Sequence, residues 1–475
     1  MNVLEEHKTN VDYEESKPLH IVMYPWFALG HITPFLQLAN ILAQNCHKVS
    51  FILPNKIQHK LTPLNHHPHL INFIPITVPP VQGLPLGAET TADVPFEGRS
   101  YVMAAMDLTK DTIDLLLSQL KPDLVFFDFT EWLPGLASKH GAKSLYFATL
   151  FAVSGAYFLP RARAASESGR DLTRPPPGFP ASKSMIRLRA HEALAVGNAL
   201  TQMEFGGPGK SILQRHAIAL EACDAFVVKT CNEMEGVYCD FIRKIYSKPV
   251  LLAGLVAPEP PAGTLDENLA SWLDGFGKGT LIYCALGSEC FLSKDRFQEL
   301  VLGLELTGRP FLAALKAPVE CKTIETALPQ GFVERTKSRG VVIGGWVQQQ
   351  LIMQHPSVGC FVTHCGAGSI TEALVSHCQL VLLPQVTDQF INSRMLSLDL
   401  QIGVEVEKGD DGHFSKNQVC EAIEVMMDGE SLVGQNARVN HEKWREFLLV
   451  RSLEHSYITD FIQSLRSLLL SSDGP

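Results

Sequence analysis

The sequence predicts an α/β protein built from two parallel-sheet domains, and three observations predict it. Short runs that are apolar throughout recur along the chain, separated by stretches of helical periodicity, as expected of parallel strands covered by helices on both faces. The series is interrupted at LAGLVAPEPPAGT (252–264), rich in Pro, Gly and Ala, and then restarts. The 475 residues also exceed what one ordinary core organises.

Residues 1–17, MNVLEEHKTNVDYEESK, are acidic and polar and read as a loose tail, not a signal peptide. HIVMYP (20–25) is the first buried strand, WFALGHI (26–32) a loop, and TPFLQLANILAQ (33–44) a helix. Pro34 falls in its tolerant first turn, and Phe35, Leu38, Ala39 and Leu42 share one face. KVSFILP (48–54), LINFIPITVP (70–79), PDLVFFD (122–128), AKSLYFAT (142–149) and DAFVVKT (224–230) continue the strands. A long helical stretch, residues 103–120, lies among them. RPPPGFPAS (174–182) is an inserted loop, a place where lids and acceptor-binding loops arise.

After the linker come TLIYCALGS (280–288), RPFLAALK (309–316), GVVIGGW (340–346), GCFVTHC (359–365) and QLVLLPQ (379–385), then an amphipathic helical stretch at 440–469. The expected layout is a tail at 1–17, a first domain at 18–252, a linker at 253–264, a second domain at 265–455, and a C-terminal helix at 456–475 packing back on the first domain. Two such domains leave a cleft, with ligands bound beyond the carboxyl ends of the strands.

Composition removes several classes. A net charge of -10 argues against a nucleic-acid surface. Pro18 to Cys46 carries no charged residue, but Pro25, Gly30, His31, Pro34, Gln37, Asn40 and Gln44 interrupt it as a membrane span. Eleven scattered cysteines without a C-x-x-C pair fit a reducing, cytoplasmic compartment. Cys360, His364 and Cys365 are close in sequence, yet their apolar, glycine-rich setting lacks a metal-ligand set. Neither domain carries G-x-G-x-x-G or a Walker loop, which opposes a nicotinamide oxidoreductase.

Looser glycine loops remain at ALGSE (285–289) and HCGAGS (364–369). THCGAGSITEAL (363–374) has two readings: a capping box in which Ser369 caps a helix and Glu372 reaches back, or a ligand site. In the second, glycines admit a phosphate to a helix N-terminus and Glu372 holds sugar hydroxyls.

The stretch Trp346 to Gln389 resembles the 44-residue signature box of plant family 1 UDP-sugar-dependent glycosyltransferases. Its landmarks are Trp-x-x-Gln, His-Pro, Thr-His-Cys-Gly, Ser-x-x-Glu and a closing Asp-Gln. PWFALGHITPFLQLANILA resembles that family's acceptor-side opening, and the likeness covers nearly all of residues 18–470. It is nearest the subgroup that extends the sugar of flavonoid 3-O-glycosides, on the HCGxGS form, the HCQLVLLPQ run and DQFINSRML.

The resemblance implies two facing Rossmann-like domains, the GT-B fold. It implies that Trp346 stacks on uracil, that Gln349 lies beside base and ribose, and that Glu372 holds the ribose hydroxyls. Ser288, His364 and Ser369 would bind the diphosphate, with Val347, Gly366 and Gly368 completing the donor site. Asp388 and Gln389 would contact the transferred sugar, glucose being favoured because hexose hydroxyls match the Gln389 amide. Ala367 and Gly368 stand where the family usually has Trp-Asn, which leaves the donor sugar open but not the donor class. Gln348 replaces a common Pro.

His31 would act as the base on the acceptor hydroxyl, with Asp128 fixing its tautomer. Asp123 and Glu131 flank the same strand, Asp123 at its far end. Attack opposite the diphosphate would invert the anomeric centre. No metal or other cofactor is required, because a helix N-terminus, two serines and His364 would hold the leaving charge. Trp26, Phe27, Phe129, Trp132, Phe151, Tyr157 and Phe158 are either an aromatic wall for a phenolic acceptor or simply core. The expected partners are a UDP-sugar and a small glycoside, taken by a monomer without nucleic acid or membrane segment. An aglycone-directed phenolic or terpenoid transferase, or a non-catalytic UDP-binding protein, remains the alternative.

Overall fold

The structure, a computed structural model, describes residues 17–180, 186–207, 209–255, 257–258, 263–287 and 290–470. The expected tail thus lies almost wholly outside the described residues, as do Ser288 and parts of the 174–182 loop and the linker.

Two compact units are present. The first holds a parallel sheet of β1 (His20–Tyr24), β2 (Lys48–Pro54), β3 (Ile71–Ile76), β4 (Leu124–Phe127), β5 (Lys143–Ala148), β6 (Ala225–Val228) and β7 (Val250–Leu252). Its order is β3-β2-β1-β4-β5-β6-β7. The second holds β8 (Leu281–Ala285), β9 (Phe311–Ala314), β10 (Gly340–Ile343), β11 (Val358–Thr363), β12 (Gln379–Leu382) and β13 (Gly403–Glu405), ordered β10-β9-β8-β11-β12-β13. It too is parallel throughout. In both sheets the direction of winding reverses beside the first strand, at β1/β4 and at β8/β11, and such switch points open a crevice beyond the carboxyl ends of the strands.

The apolar runs are strands because both of their faces are buried. Ile21, Met23, Leu124 and Phe126 enter one core, and Ile282, Cys284, Cys360 and Val362 the other. Strands β7 and β13 were not anticipated; three residues at a sheet edge are too few to carry a period.

Several expectations need correction. The first helix is Leu29–Gln44, starting four residues before Thr33, so His31 lies in its first turn and not in a loop. Pro34 is therefore inside the helix; its missing N–H would have met the Gly30 carbonyl, and Gly30 is exposed to water. Residues 103–120 form parts of two helices, Arg99–Asp107 and Lys110–Leu120. The break falls where the Thr109 hydroxyl bonds the Met106 carbonyl (2.6 Å) and meets the Tyr24 hydroxyl (2.6 Å). The C-terminal stretch likewise divides into Leu432–Leu448 and Arg451–Leu470.

Unit composition also departs from a continuous first domain. Residues Val153–Ala199 cluster with the second unit, and the chain from Ser452 clusters with the first. Phe461 and Leu465 join the first core. Residues 153–199 are held in the second unit by polar anchors: the Ser154 hydroxyl donates to Asn392 Oδ1 (2.8 Å), and Arg394 Nη2 donates to both Glu192 carboxylate oxygens (2.7 and 2.8 Å). Among the described residues no helix is long and apolar enough to cross a membrane.

Candidate active site

In the first unit, Asp128 is the first residue beyond β4, and His31 follows neighbouring β1 by seven residues. The parallel register that sets Tyr24 against Phe127 also brings the Trp26 N–H within 2.8 Å of Asp128 Oδ1, which accepts from the Phe129 N–H as well (2.7 Å). Oδ2 lies 2.7 Å from His31 Nδ1. A carboxylate already accepting two amide bonds has only acceptor capacity left, so the imidazole carries its proton on Nδ1. The Nε2 lone pair then remains for a substrate proton. Thr149 Oγ1 stands 3.0 Å from the same Nδ1. The Asp128 side chain is 2% exposed and that of His31 25%, so the carboxylate is held in the protein while the ring reaches solvent.

The two flanking acids are occupied elsewhere. Asp123 Oδ2 accepts from the His20 N–H at the opposite end of the strands (2.7 Å). Glu131 pairs with Lys210 and the fully buried Arg215, which also grips Asp107.

The aromatic residues named from the sequence divide between the core and partly exposed positions. Trp26, Phe27, Phe151 and Tyr157 are core residues, and Tyr157 and Phe158 belong to the second unit while the other five belong to the first. Beside His31 stands a smaller group: Phe129 at 5.4 Å between centroids, itself packed on Trp26 (5.7 Å), Phe205 (5.5 Å) and His216 (4.6 Å). Phe205 and His216 were not anticipated, because nothing in local sequence pattern joins residues 205–216 to Phe129. Burial lowers the His216 imidazole to about 4 and keeps it neutral.

In the second unit, β11 ends at Thr363 and β8 at Ala285, side by side. His364 projects between glycines: a Cβ on Gly287 would lie 2.6 Å from His364 Nε2, and one on Gly366 2.4 Å from it. A Cβ at either position would press on the ring and displace it from where it lies. Cys365 then turns with φ +67°, and Gly366 caps the helix Ala367–Leu374. The first bond of that helix is from the Ile370 N–H to the Gly366 carbonyl (3.0 Å), so the amides of Ala367, Gly368 and Ser369 precede the ladder.

The capping-box reading of SITE fails, since Gly366 is the cap, Ser369 lies in the first turn and Glu372 in the second. Glu372 Oε2 instead accepts from Gln349 Nε2 (2.7 Å), which is also 3.2 Å from Ser369 Oγ; Gln349 Oε1 accepts from the Tyr283 hydroxyl (3.2 Å). Burial raises the Glu372 carboxyl above its ordinary value, and the Gln349 bond opposes that only in part.

Gln349 opens the helix Gln349–Gln354, and its N–H bonds the Val347 carbonyl (2.9 Å). Trp346, just before, is 88% exposed, its indole face open. Gln348 ties this turn to the linker end, donating to the Thr264 carbonyl (2.8 Å) and accepting from the Asp266 N–H (2.8 Å). Asp388 begins the helix Asp388–Arg394 after Thr387, whose φ of +40° is unusual for a β-branched residue. Gln389 Oε1 accepts from the Gln385 and Val386 amides (3.0 and 3.1 Å), which fixes the orientation of its side chain. Cys360 and Cys365 are buried, and burial keeps both thiols protonated. Ser288 lies outside the described residues.

The family described as UDP-glucoronosyl and UDP-glucosyl transferase matches residues 227–439. A cyanidin 3-O-galactoside 2''-O-xylosyltransferase of Actinidia chinensis is 53% identical over 456 residues, covering 95% of this chain and 98% of that one. An anthocyanidin 3-O-glucoside 2''-O-glucosyltransferase of Ipomoea nil is 49% identical over 454 residues, with 95% and 98% covered. Among solved structures, Glycyrrhiza uralensis UGT73P12 complexed with glycyrrhetinic acid 3-O-monoglucuronide superposes with a TM-score of 0.79 over 96% of this chain and 97% of that one, at 21% identity; this likeness concerns the GT-B fold alone.

Proposed function

This chain belongs to the UDP-glucoronosyl and UDP-glucosyl transferase family, and from that premise we propose that it is an inverting transferase that extends the sugar of a flavonoid 3-O-glycoside. The observation carrying the chemistry is the buried Asp128 carboxylate bonded to His31 Nδ1, which leaves Nε2 as a base. The acceptor class is supported by the relatives, which are described as acting on the sugar of cyanidin or anthocyanidin 3-O-glycosides.

In this reading His31 Nε2 takes the proton of an acceptor sugar hydroxyl as its oxygen bonds the anomeric carbon. The bond from that carbon to the diphosphate oxygen breaks, UDP departs, and the anomeric centre inverts. Asp128 stabilises the imidazolium that results. His364, Ser369, Ser288 and the leading amides of helix Ala367–Leu374 receive the charge of the leaving diphosphate, so no metal is assigned a role. Trp346 stacks on uracil beside Val347 and Gln349, Glu372 accepts from the ribose hydroxyls, and Gly366 and Gly368 let the phosphates approach the backbone. Asp388 and Gln389 read the transferred sugar, which we assign as glucose because the oriented Gln389 amide suits a hexose hydroxyl. The protein is assigned as a cytoplasmic monomer.

A matrix of UDP-glucose, UDP-xylose and UDP-rhamnose against a flavonol, its 3-O-glucoside and a terpenoid glycoside tests this, with product linkage read by NMR. Preferred transfer from UDP-glucose to a sugar hydroxyl of the 3-O-glucoside is expected. Preferred transfer to a phenolic hydroxyl of the aglycone overturns the acceptor assignment, and preferred xylosyl transfer overturns the donor assignment.

A further inference from the structure

Asn392 lies one helical turn beyond Asp388 and is fully buried. Its Nδ2 donates to Asp388 Oδ2 (3.1 Å) and to the Cys365 carbonyl (3.0 Å), and its Oδ1 accepts from the Ser154 hydroxyl (2.8 Å). The first two partners only accept, so flipping the amide would lose both Nδ2 bonds and set its oxygen against two acceptors.

Each end of this bridge meets a residue of positive φ. Cys365, at +67°, immediately precedes Gly366, the cap of the helix Ala367–Leu374. Thr387, at +40°, immediately precedes Asp388 and donates its hydroxyl to Asp388 Oδ1 (3.0 Å). Such backbone persists only where its surroundings over-determine it. Asn392 is the side chain that joins the two turns directly, and Ser154 adds a third element from the 153–199 segment of the same unit.

We propose that Asn392 is a positioning residue for sugar transfer. It sets the Asp388 carboxylate relative to the turn at Cys365, and Ser154 fixes the amide that does so. Thr387 donates to Oδ1 and Asn392 to Oδ2, so the Asp388 carboxylate is held in one orientation. The inference rests on the reading that Asp388 touches the transferred sugar.

The test compares affinity for UDP-glucose with affinity for UDP by titration calorimetry, since the ratio isolates the sugar. Asn392→Ala is expected to reduce the ratio about tenfold, the size of a lost bond to a charged group. Ser154→Ala, which leaves both Nδ2 bonds in place but removes the hydroxyl's bonds to Asn392 Oδ1 and to the Asp388 carbonyl (3.2 Å), should reduce it about threefold, and serves if Asn392→Ala does not fold. In an Asp388→Ala background, neither substitution should change the ratio further. Equal loss of UDP and UDP-glucose affinity in the Ser154 and Asn392 variants would mean a merely structural role and overturn the inference. An unchanged ratio in Asp388→Ala would overturn the reading of Asp388 itself, and the inference with it.

Discussion

The Nδ1 nitrogen of His31 lies 2.7 Å from Asp128 Oδ2 across 97 positions of sequence. Neighbouring parallel strands bring them together, and two backbone amides hold the carboxylate still. If this pair works as a base and its orienter, His31→Ala and Asp128→Asn should each lower kcat on the order of 10²–10⁴-fold. UDP affinity by calorimetry should change little, because neither side chain is assigned to the nucleotide. Near-parental turnover at saturating substrates would remove His31 from the mechanism.

Glu372 gives a pH-dependent case. Burial raises its folded carboxyl above its unfolded value, so ionised Glu372 opposes folding at pH above that raised value, and the penalty fades as pH falls through it. Glu372→Gln should therefore keep or raise the melting temperature at pH 7.5, while UDP affinity drops about tenfold through the weakened ribose contacts. Unchanged UDP affinity in this variant would detach Glu372 from the donor.

The glycines around His364 are not equivalent. Gly366→Ala and Gly287→Ala force the His364 ring away and should weaken UDP binding about tenfold or more, a change of roughly 1.4 kcal/mol. Gly368 has nothing within 4 Å of a built Cβ. Gly368→Ala should leave affinity within a few-fold and add up to about 1 kcal/mol of stability by removing a helical glycine. Calorimetry and urea titration of the three variants check the contrast.

Arg215 is fully buried between Asp107 and Glu131. Arg215→Met leaves Asp107 without its cation and Glu131 with Lys210 alone, and should destabilise the first unit by about 3–5 kcal/mol. A urea midpoint close to that of the parent would show that the pair is solvated instead.

His47 and His216 both have folded values lowered to about 4 by burial, against 6.5 unfolded. Between those limits the unfolded chain binds more protons, so stability falls as the pH is lowered from about 6.5 toward 4. The urea midpoint should be lower at pH 5 than at pH 7, and His47→Gln should reduce the difference. An equal pH dependence in His47→Gln would exclude His47 as a cause.

The α/β class, the two series of parallel strands and the residues that stand at their ends are legible in the order of amino acids. Strands buried on both faces must be apolar throughout, and residues such as Asp128 and His364 follow them within one position, so local pattern reports both. The start of the first helix was missed, because Ala28 caps it without a side-chain bond and Pro34 imitates a first turn. Tertiary structure alone decided the rest. Gln349 is 23 positions from the Glu372 it bonds, Phe129 meets Phe205 and His216 from another segment, and Ser154 reaches Asn392 across 238 positions. Those pairings depend on which strands lie side by side and which polar groups are buried together. Neither periodicity nor spacing along the chain records that.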